Sequence, residues 1–279
     1  MLRSWQDVVT KWRDVPQDWP VADPDDPATV SSVQVSGLYR GRAALLDGRL
    51  DEAWREFDAA ATDAQPKAEV GLGDVYLARN QWRLAARHYQ RALELEPGNL
   101  LARLGLNQVR VCAGDAAGAV TALEDLHAAR PDDRVVRYYL ASAWCSAAEQ
   151  CRSRTDDDVL VIASEKQLRY CERAARRIAE LDVADRELSF GANRLMAEVT
   201  AGRRWLWAPE GIAVSLLILT MAFGLTAVVA GGAMASPALV VGGALVGGAL
   251  LVGIVLRCRR QVWRVRADAL ADRIDHTGW

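Results

Sequence analysis

From Gly211 to Leu256 the chain carries no ionisable side chain, with Glu210 just before this run and Arg257 just after it. The run divides at GGAMASP (231–237) into two apolar segments, 211–230 and 237–256, of twenty residues each. At 1.5 Å per residue a helix of that length is roughly 30 Å, the thickness of bilayer hydrocarbon. One helix through both segments is about twice as long as a bilayer needs, and Pro237 would remove a backbone bond midway along it. The pattern predicts two spanning helices joined by a tight turn at the far membrane face.

Upstream the pattern changes. Leu2, Trp5, Val9 and Trp12 recur at near-helical spacing, which predicts a short amphipathic helix over residues 2–13, with Trp5 and Trp12 docking on the next helices. PQDWPVADPDDPATV then holds four prolines and reads as an extended linker or wrap. From Val35 to Asp182 alanine-rich helical segments alternate with short turns, and they repeat: GRLDEAWREFDAAATDAQP (48–66), NQWRLAARHYQRALELEP (80–97) and GDAAGAVTALEDLHAARP (114–131). Ala85 to Ala119 and Pro97 to Pro131 are both steps of 34, the period of a solenoid of helix pairs. Small residues such as Gly73 and Ala85 let paired helices approach, while Tyr76, Tyr89 and Trp82 fill the gaps between pairs.

These residues resemble tetratricopeptide repeats. The second repeat matches best, with Leu72, Gly73 and Tyr76 on its first helix and Ala85, Tyr89, Ala92 and Pro97 on its second. The first keeps Gly41, Gly48, Ala53, Phe57 and Ala60 but is two residues shorter. The third keeps Gly114, Ala119, Leu123 and Pro131, with Asn107 and Arg110 where a glycine and an aromatic are usual. A stretched fourth opens with Leu140, Ala141 and Trp144 and closes with Cys171, Ala175, Ile178 and Leu181. A capping helix follows, with Leu188, Leu195 and Val199 on one stripe.

The resemblance implies an interaction module whose first helices line a groove. That groove would present Leu38, Arg42, Val70, Asp74, Leu104, Gln108, Tyr138 and Ser142 to an extended or helical protein segment. It lacks the lysine and asparagine of the family's clamp for C-terminal carboxylates, and the N-terminal arm is an equal candidate to bury these side chains. The fold class expected is all-α, a helical-repeat solenoid followed by a transmembrane hairpin. Its parts are an N-terminal helix and linker (1–33), the repeats with their cap (34–202), the hairpin (203–256) and a basic amphipathic tail (257–279).

Charge refines this picture. Residues 201–279 carry eight arginines against four carboxylates, +4, so the net charge of −2 leaves −6 on the rest. A mildly acidic body disfavours nucleic acid as a partner. Arg203 and Arg204 precede the first span and Arg257, Arg259, Arg260, Arg264 and Arg266 follow the second, while the turn is uncharged. By the positive-inside bias both termini and the repeats belong in the cytoplasm, at the inner (plasma) membrane, with Trp205, Trp207 and Trp263 at the interface. Pro209 and Glu210 suit the first turn of a helix.

The second span is rich in glycine. Gly243 and Gly247 form GxxxG, and Gly248 and Gly253 continue small-residue spacing on other faces, answered on the first span by Ser215, Ala222 and Thr226. These faces serve either packing of the hairpin on itself or assembly into a homo-oligomer. In the tail, Trp263, Ala267, Leu270 and Ile274 form a helical stripe among arginines, suited to anionic headgroups or to the repeats.

Candidate chemistry is sparse. Cys112, Cys145, Cys151, Cys171 and Cys258 form no CxxC pair, and His88, His127 and His276 are scattered, so neither a metal nor a redox role is suggested. Asp156, Asp157 and Asp158 read as a helix-starting cap, and the N-terminus has no apolar signal core. No catalytic motif and no cofactor site emerge. Only three lysines against thirty-one arginines in an alanine-rich chain fit a GC-rich bacterial genome. The expectation is a membrane-anchored scaffold or adaptor that binds a protein partner at the cytoplasmic face. The rivals are a membrane-active effector whose repeats sense a partner, and an accessory subunit of a membrane complex.

Overall fold

The computed structural model describes residues 4–14, 33–61, 65–207, 210–276 and 278. The chain divides into two compact units, Met1–Cys151 with Glu172–Arg194, and Arg152–Cys171 with Leu195–Trp279. Among the described residues it is an all-α chain with a few two- and three-residue strands.

The first unit begins with α1 (Ser4–Asp14), close to the expected 2–13. The proline-rich linker lies outside the described residues. Three helix pairs and the start of a fourth follow: α2 (Val33–Leu46) and α3 (Leu50–Ala61), α4 (Pro66–Ala78) and α5 (Trp82–Leu95), α6 (Leu100–Cys112) and α7 (Ala116–Ala129), then α8 (Arg134–Cys151). Each helix packs on the next, and α2, α4, α6 and α8 also pack successively on one another, so the first helices form one continuous layer.

The turns explain the regularity. α2, α4 and α6 each end with a left-handed residue, Gly48 (φ 76°), Asn80 (φ 60°) and Gly114 (φ 90°). In each case its N–H donates three residues back and the following N–H five residues back, as in Arg49 N to Ala44 O, Gln81 N to Tyr76 O and Asp115 N to Arg110 O, at 2.8, 2.8 and 2.9 Å. This double bond satisfies the last carbonyls and reverses the chain. Pro66 opens α4 at a position where a helix does not need the missing N–H, and Asn99 and Asp115 accept from Ala102 N and Gly118 N to cap α6 and α7.

Between layers, one aromatic ring of α3 and one of α5 are each held by glycines on both flanking first helices. A β-carbon at Gly41 or Gly71 would come within 2.9 or 2.6 Å of Phe57, and one at Gly73 or Gly105 within 2.5 or 2.4 Å of Tyr89. The third repeat lacks a glycine at 107, yet Gly105 already receives the ring of the pair before it. At the far end Glu124 of α7 accepts from Trp144 Nε1 at 2.9 Å and from Arg177 Nε and Nη2 at 2.9 and 2.7 Å. Arg177 belongs to α9 (Glu165–Glu180), which precedes α10 (Arg186–Arg203).

In the second unit RSRTDDD forms a hairpin, with β1 (Ser153–Thr155) antiparallel to β2 (Leu160–Val161). The aspartates therefore do not start a helix. Asp158 takes a left-handed φ of 62° in the turn, Arg273 pairs with Asp156 and Asp157, and α9 is capped instead by Ser164 Oγ accepting from Gln167 N at 3.1 Å. The turn was misread because aspartate suits caps and tight turns equally.

β3 (Trp205–Trp207) leads to α11 (Glu210–Ala233) and α12 (Pro237–Cys258). Both contain a stretch long and apolar enough to cross a membrane, Val214–Ala233 and Val240–Cys258. The turn between them repeats the double-bond closure, with Ala235 at φ 48° and Ser236 N donating to Gly231 O at 2.9 Å. Gly247 meets the backbone of Gly224, where an added β-carbon would lie 3.3 Å from the Cα, and Gly243 meets Ala227.

Ser215, Ala222 and Thr226 do not answer the glycines, since all three are exposed. The two hydroxyls bond back to Gly211 O and Ala222 O within their own helix. The tail is not one amphipathic helix either. β4 (Arg259–Gln261) pairs with β3, α13 (Val262–Ala269) is short, and after a 3₁₀ turn (Ala271–Arg273) β5 (Ile274–His276) joins β1. Strand pairing at both ends overrides the helical stripe.

Candidate functional site

The first helices place Leu38 and Arg42 on α2, Val70 and Asp74 on α4, Leu104 and Gln108 on α6, and Tyr138 and Ser142 on α8. All but Arg42, which is half-buried, are buried. What covers this face is α1, which packs against α2, α4 and α8.

The contact is polar at its centre. Lys11 and Asp74 form an ion pair in which neither side chain has any exposure. Asp74 also accepts from Trp12 Nε1 at 2.8 Å and from Tyr89 Oη at 2.6 Å. The Lys11 ammonium lies 5.1 Å from the centroid of the Tyr89 ring. Asp7, one helical turn before Lys11, accepts from Gln108 Nε2 and from Ser142 Oγ, the latter at 3.3 Å. Backbone carbonyls of α1 accept as well: Asp7 O from Tyr139 Oη at 2.9 Å, and Trp12 O from Arg42 Nη2 at 2.6 Å. Among the described side chains of α1 the buried apolar ones are Val8 at 0% and Trp12 at 2% exposure, with the Trp12 ring stacked 6.1 Å from Phe57.

Electrostatics follow from this enclosure. Burial pulls the Lys11 ammonium below its usual value, opposed by Asp74, and pushes the Asp74 carboxyl up, opposed by Lys11, Tyr89 and Trp12. The Tyr89 hydroxyl is raised well above the usual value by burial and then by Asp74. On α6, burial and then the Asp7 charge lift the Cys112 thiol to about 11. Beyond the C-terminal part of α1 a cavity of about 650 Å³ remains, lined by Thr10, Arg13, Arg134, Arg137, Tyr138 and the segment 182–185.

Sequence reasoning named the groove side chains of the first helices but missed the side chains that meet them, Asp7 and Lys11. The available signal was a lysine, one of three in the chain, set between Val8 and Trp12 on the apolar stripe of α1 and four residues after an aspartate. The Trp5 side chain lies outside the described residues.

The remaining expected residues gather around the apolar hairpin. Arg203 ends α10, and Arg204 O accepts from Val262 N at 2.9 Å. Trp205 and Trp207 pair with Gln261 and Arg259 across the β3–β4 ladder, Arg257 lies in the last turn of α12, and Trp263 opens α13 beside Gly202. Gly243 and Gly247 lie in the helix contact, whereas Gly248 and Gly253 have nothing within 4 Å of an added β-carbon. Among the described residues no group of three His, Cys, Asp or Glu side chains is placed to hold a metal ion.

No family model matches the sequence, and no curated protein matches it either.

Proposed function

We propose that the chain is a membrane-anchored adaptor of tetratricopeptide type, which holds its own α1 in the groove of its first helices and exchanges it for a protein partner at the cytoplasmic face of the membrane. The observation that carries this reading is the α1 contact itself. The groove engages a helix through side-chain-specific bonds at Arg42, Asp74, Gln108 and Ser142, and the same chain carries two apolar helices of spanning length.

The contact is also suited to exchange. Burying Val8 and Trp12 contributes about 1.5–3 kcal/mol each. The buried ion pair contributes specificity more than net affinity, because desolvation offsets much of its attraction. An 11-residue helix is marginal alone, so a displaced α1 would also unfold.

The test compares the parent chain with Trp12→Ala, in which α1 is loosened, as bait in native membranes. The expected result is a protein held more strongly by Trp12→Ala and eluted by a peptide of residues 1–14. Capture that this peptide never competes would count against the groove as the docking surface.

A second reading, an effector that assembles in the bilayer, is favoured by the bare outer face of α12 at Gly248 and Gly253. It requires membrane leakage that disappears when this face is filled.

A further inference from the structure

At the end of α12 a cavity of about 500 Å³ has Leu256, Trp263, Asp268 and the arginines at 257, 259, 260 and 264 in its lining. Four arginines and one carboxylate thus line one space. Arg260 is committed to that carboxylate, at 2.9 Å from Asp268 Oδ2. Arg257, Arg259 and Arg264 have no ion-pair partner among the described residues, and Glu165 is paired with Arg169, which holds its carboxyl low with help from the Arg264 charge.

The guanidinium groups are positioned rather than scattered. The β3–β4 ladder sets Arg259 opposite Trp207, and its guanidinium lies 5.4 Å from the Trp205 ring centroid. That of Arg264 lies 5.2 Å from the Trp263 ring, whose Nε1 is fixed by Gln261 Oε1 at 2.8 Å. A guanidinium packed on an indole keeps its edge N–H donors available, in the planar fork that matches phosphate oxygens. The apolar part of the wall includes Leu256, 76% exposed on the last turn of the spanning-length helix.

A ligand for this cavity needs a phosphate at one end and hydrocarbon at the other. We propose that it binds the headgroup of one anionic phospholipid, with the phosphate held by Arg257, Arg259 and Arg264 and the acyl chains running along α12 from Leu256. A phosphodiester so placed offsets part of the positive charge that Asp268 leaves over. The inference rests on the membrane-anchored reading and adds the lipid class to it.

The experiment uses the full chain reconstituted in vesicles of phosphatidylcholine with one-fifth phosphatidylglycerol, extracted gently and read by native mass spectrometry. The parent should retain phosphatidylglycerol in preference to phosphatidylcholine. Arg257→Gln with Arg264→Gln should reduce that preference roughly thirtyfold, since each basic group near an anionic surface contributes about fivefold. Arg103→Gln with Arg110→Gln, both on α6, should leave it unchanged.

Equal retention of both lipids by the parent, or an undiminished preference in Arg257→Gln with Arg264→Gln, overturns the site. Loss of the bound lipid to millimolar glycerol phosphate assigns the cavity to a soluble phosphate and overturns the lipid. Failure of the parent to enter vesicles refutes the anchored reading itself, and is scored separately by flotation.

Discussion

Lys11 and Asp74, 63 positions apart, meet with both side chains sealed from water. Such pairs are rare because each charge loses its hydration, and this one is tolerated because Trp12 and Tyr89 supply two further hydrogen bonds to the carboxylate. Lys11→Ala should therefore cost about 3–5 kcal/mol, by leaving the carboxylate buried without its counter-ion. Lys11→Met combined with Asp74→Leu should recover part of that loss, since it removes both charges but leaves the Trp12 and Tyr89 donors unpaired. Urea unfolding of the chain in micelles, followed by tryptophan fluorescence, measures both. Equal damage from the single and double variants would mean that the pair itself is not what secures α1.

Cys112 reports on the same contact without disturbing it. Its thiol, lifted to about 11 by burial and Asp7, is on the order of 10⁻³ ionised at pH 8 and should alkylate slowly there. Lys11→Ala, which loosens α1 and withdraws Asp7, should speed labelling of this cysteine at least tenfold, as timed by peptide mass spectrometry. An unchanged rate would show that α1 does not control access to it.

Glu124 gives a pH dependence whose sign is fixed. Hydrogen bonds from Arg177 hold its carboxyl below the ordinary 4.5, with Trp144 assisting. A lowered folded value means that the unfolded chain takes the proton more readily. The stabilisation is therefore complete above about pH 4.5 and is lost as pH falls through the folded value. Glu124→Gln should lower the melting temperature at pH 7 and flatten that acid limb, so that its profile approaches the parent's as pH falls.

In the hairpin, neighbouring glycines should behave differently. Gly247→Leu forces a side chain into the backbone of Gly224 and should separate the two helices, whereas Gly248→Leu points into open space and should insert and pack as the parent does. Disulfide trapping between cysteines placed at Leu217 and Ile254 measures the separation. Loss of trapping in both variants would place the contact on a different face.

The helix pairs were legible in the sequence because their determinants are local and repeated. Gly48 and Gly114 end their helices by the same backbone closure, and Phe57 and Tyr89 each meet a pair of glycines on the flanking first helices. The groove side chains Asp74 and Gln108 were legible in position but not in partner. What α1 brings to them arrives from more than 60 residues away, and no periodicity encodes such a contact. The tail was misread for the opposite reason. Trp263, Ala267, Leu270 and Ile274 do carry a helical stripe, but β5 pairs with a strand some 120 residues earlier, and tertiary pairing outweighs local propensity. The facing surfaces of the hairpin were half legible: small residues marked Gly243 and Gly247, while only geometry distinguishes Gly224 from Ala222.

The anchored reading stands on the side of the membrane to which each part is exposed. Met234, 71% exposed beside the hairpin turn, is a better probe position than Ala235, whose left-handed φ a larger side chain would strain. Intact cells producing Met234→Cys are treated with a membrane-impermeant maleimide, with the parent chain as control and a second variant, Asp51→Cys, on the exposed start of α3. Labelling of Met234→Cys from outside, with the parent and Asp51→Cys modified only after lysis, is the expected result. Labelling of Asp51→Cys from outside, or of Met234→Cys only after lysis, would contradict the membrane-anchored cytoplasmic adaptor.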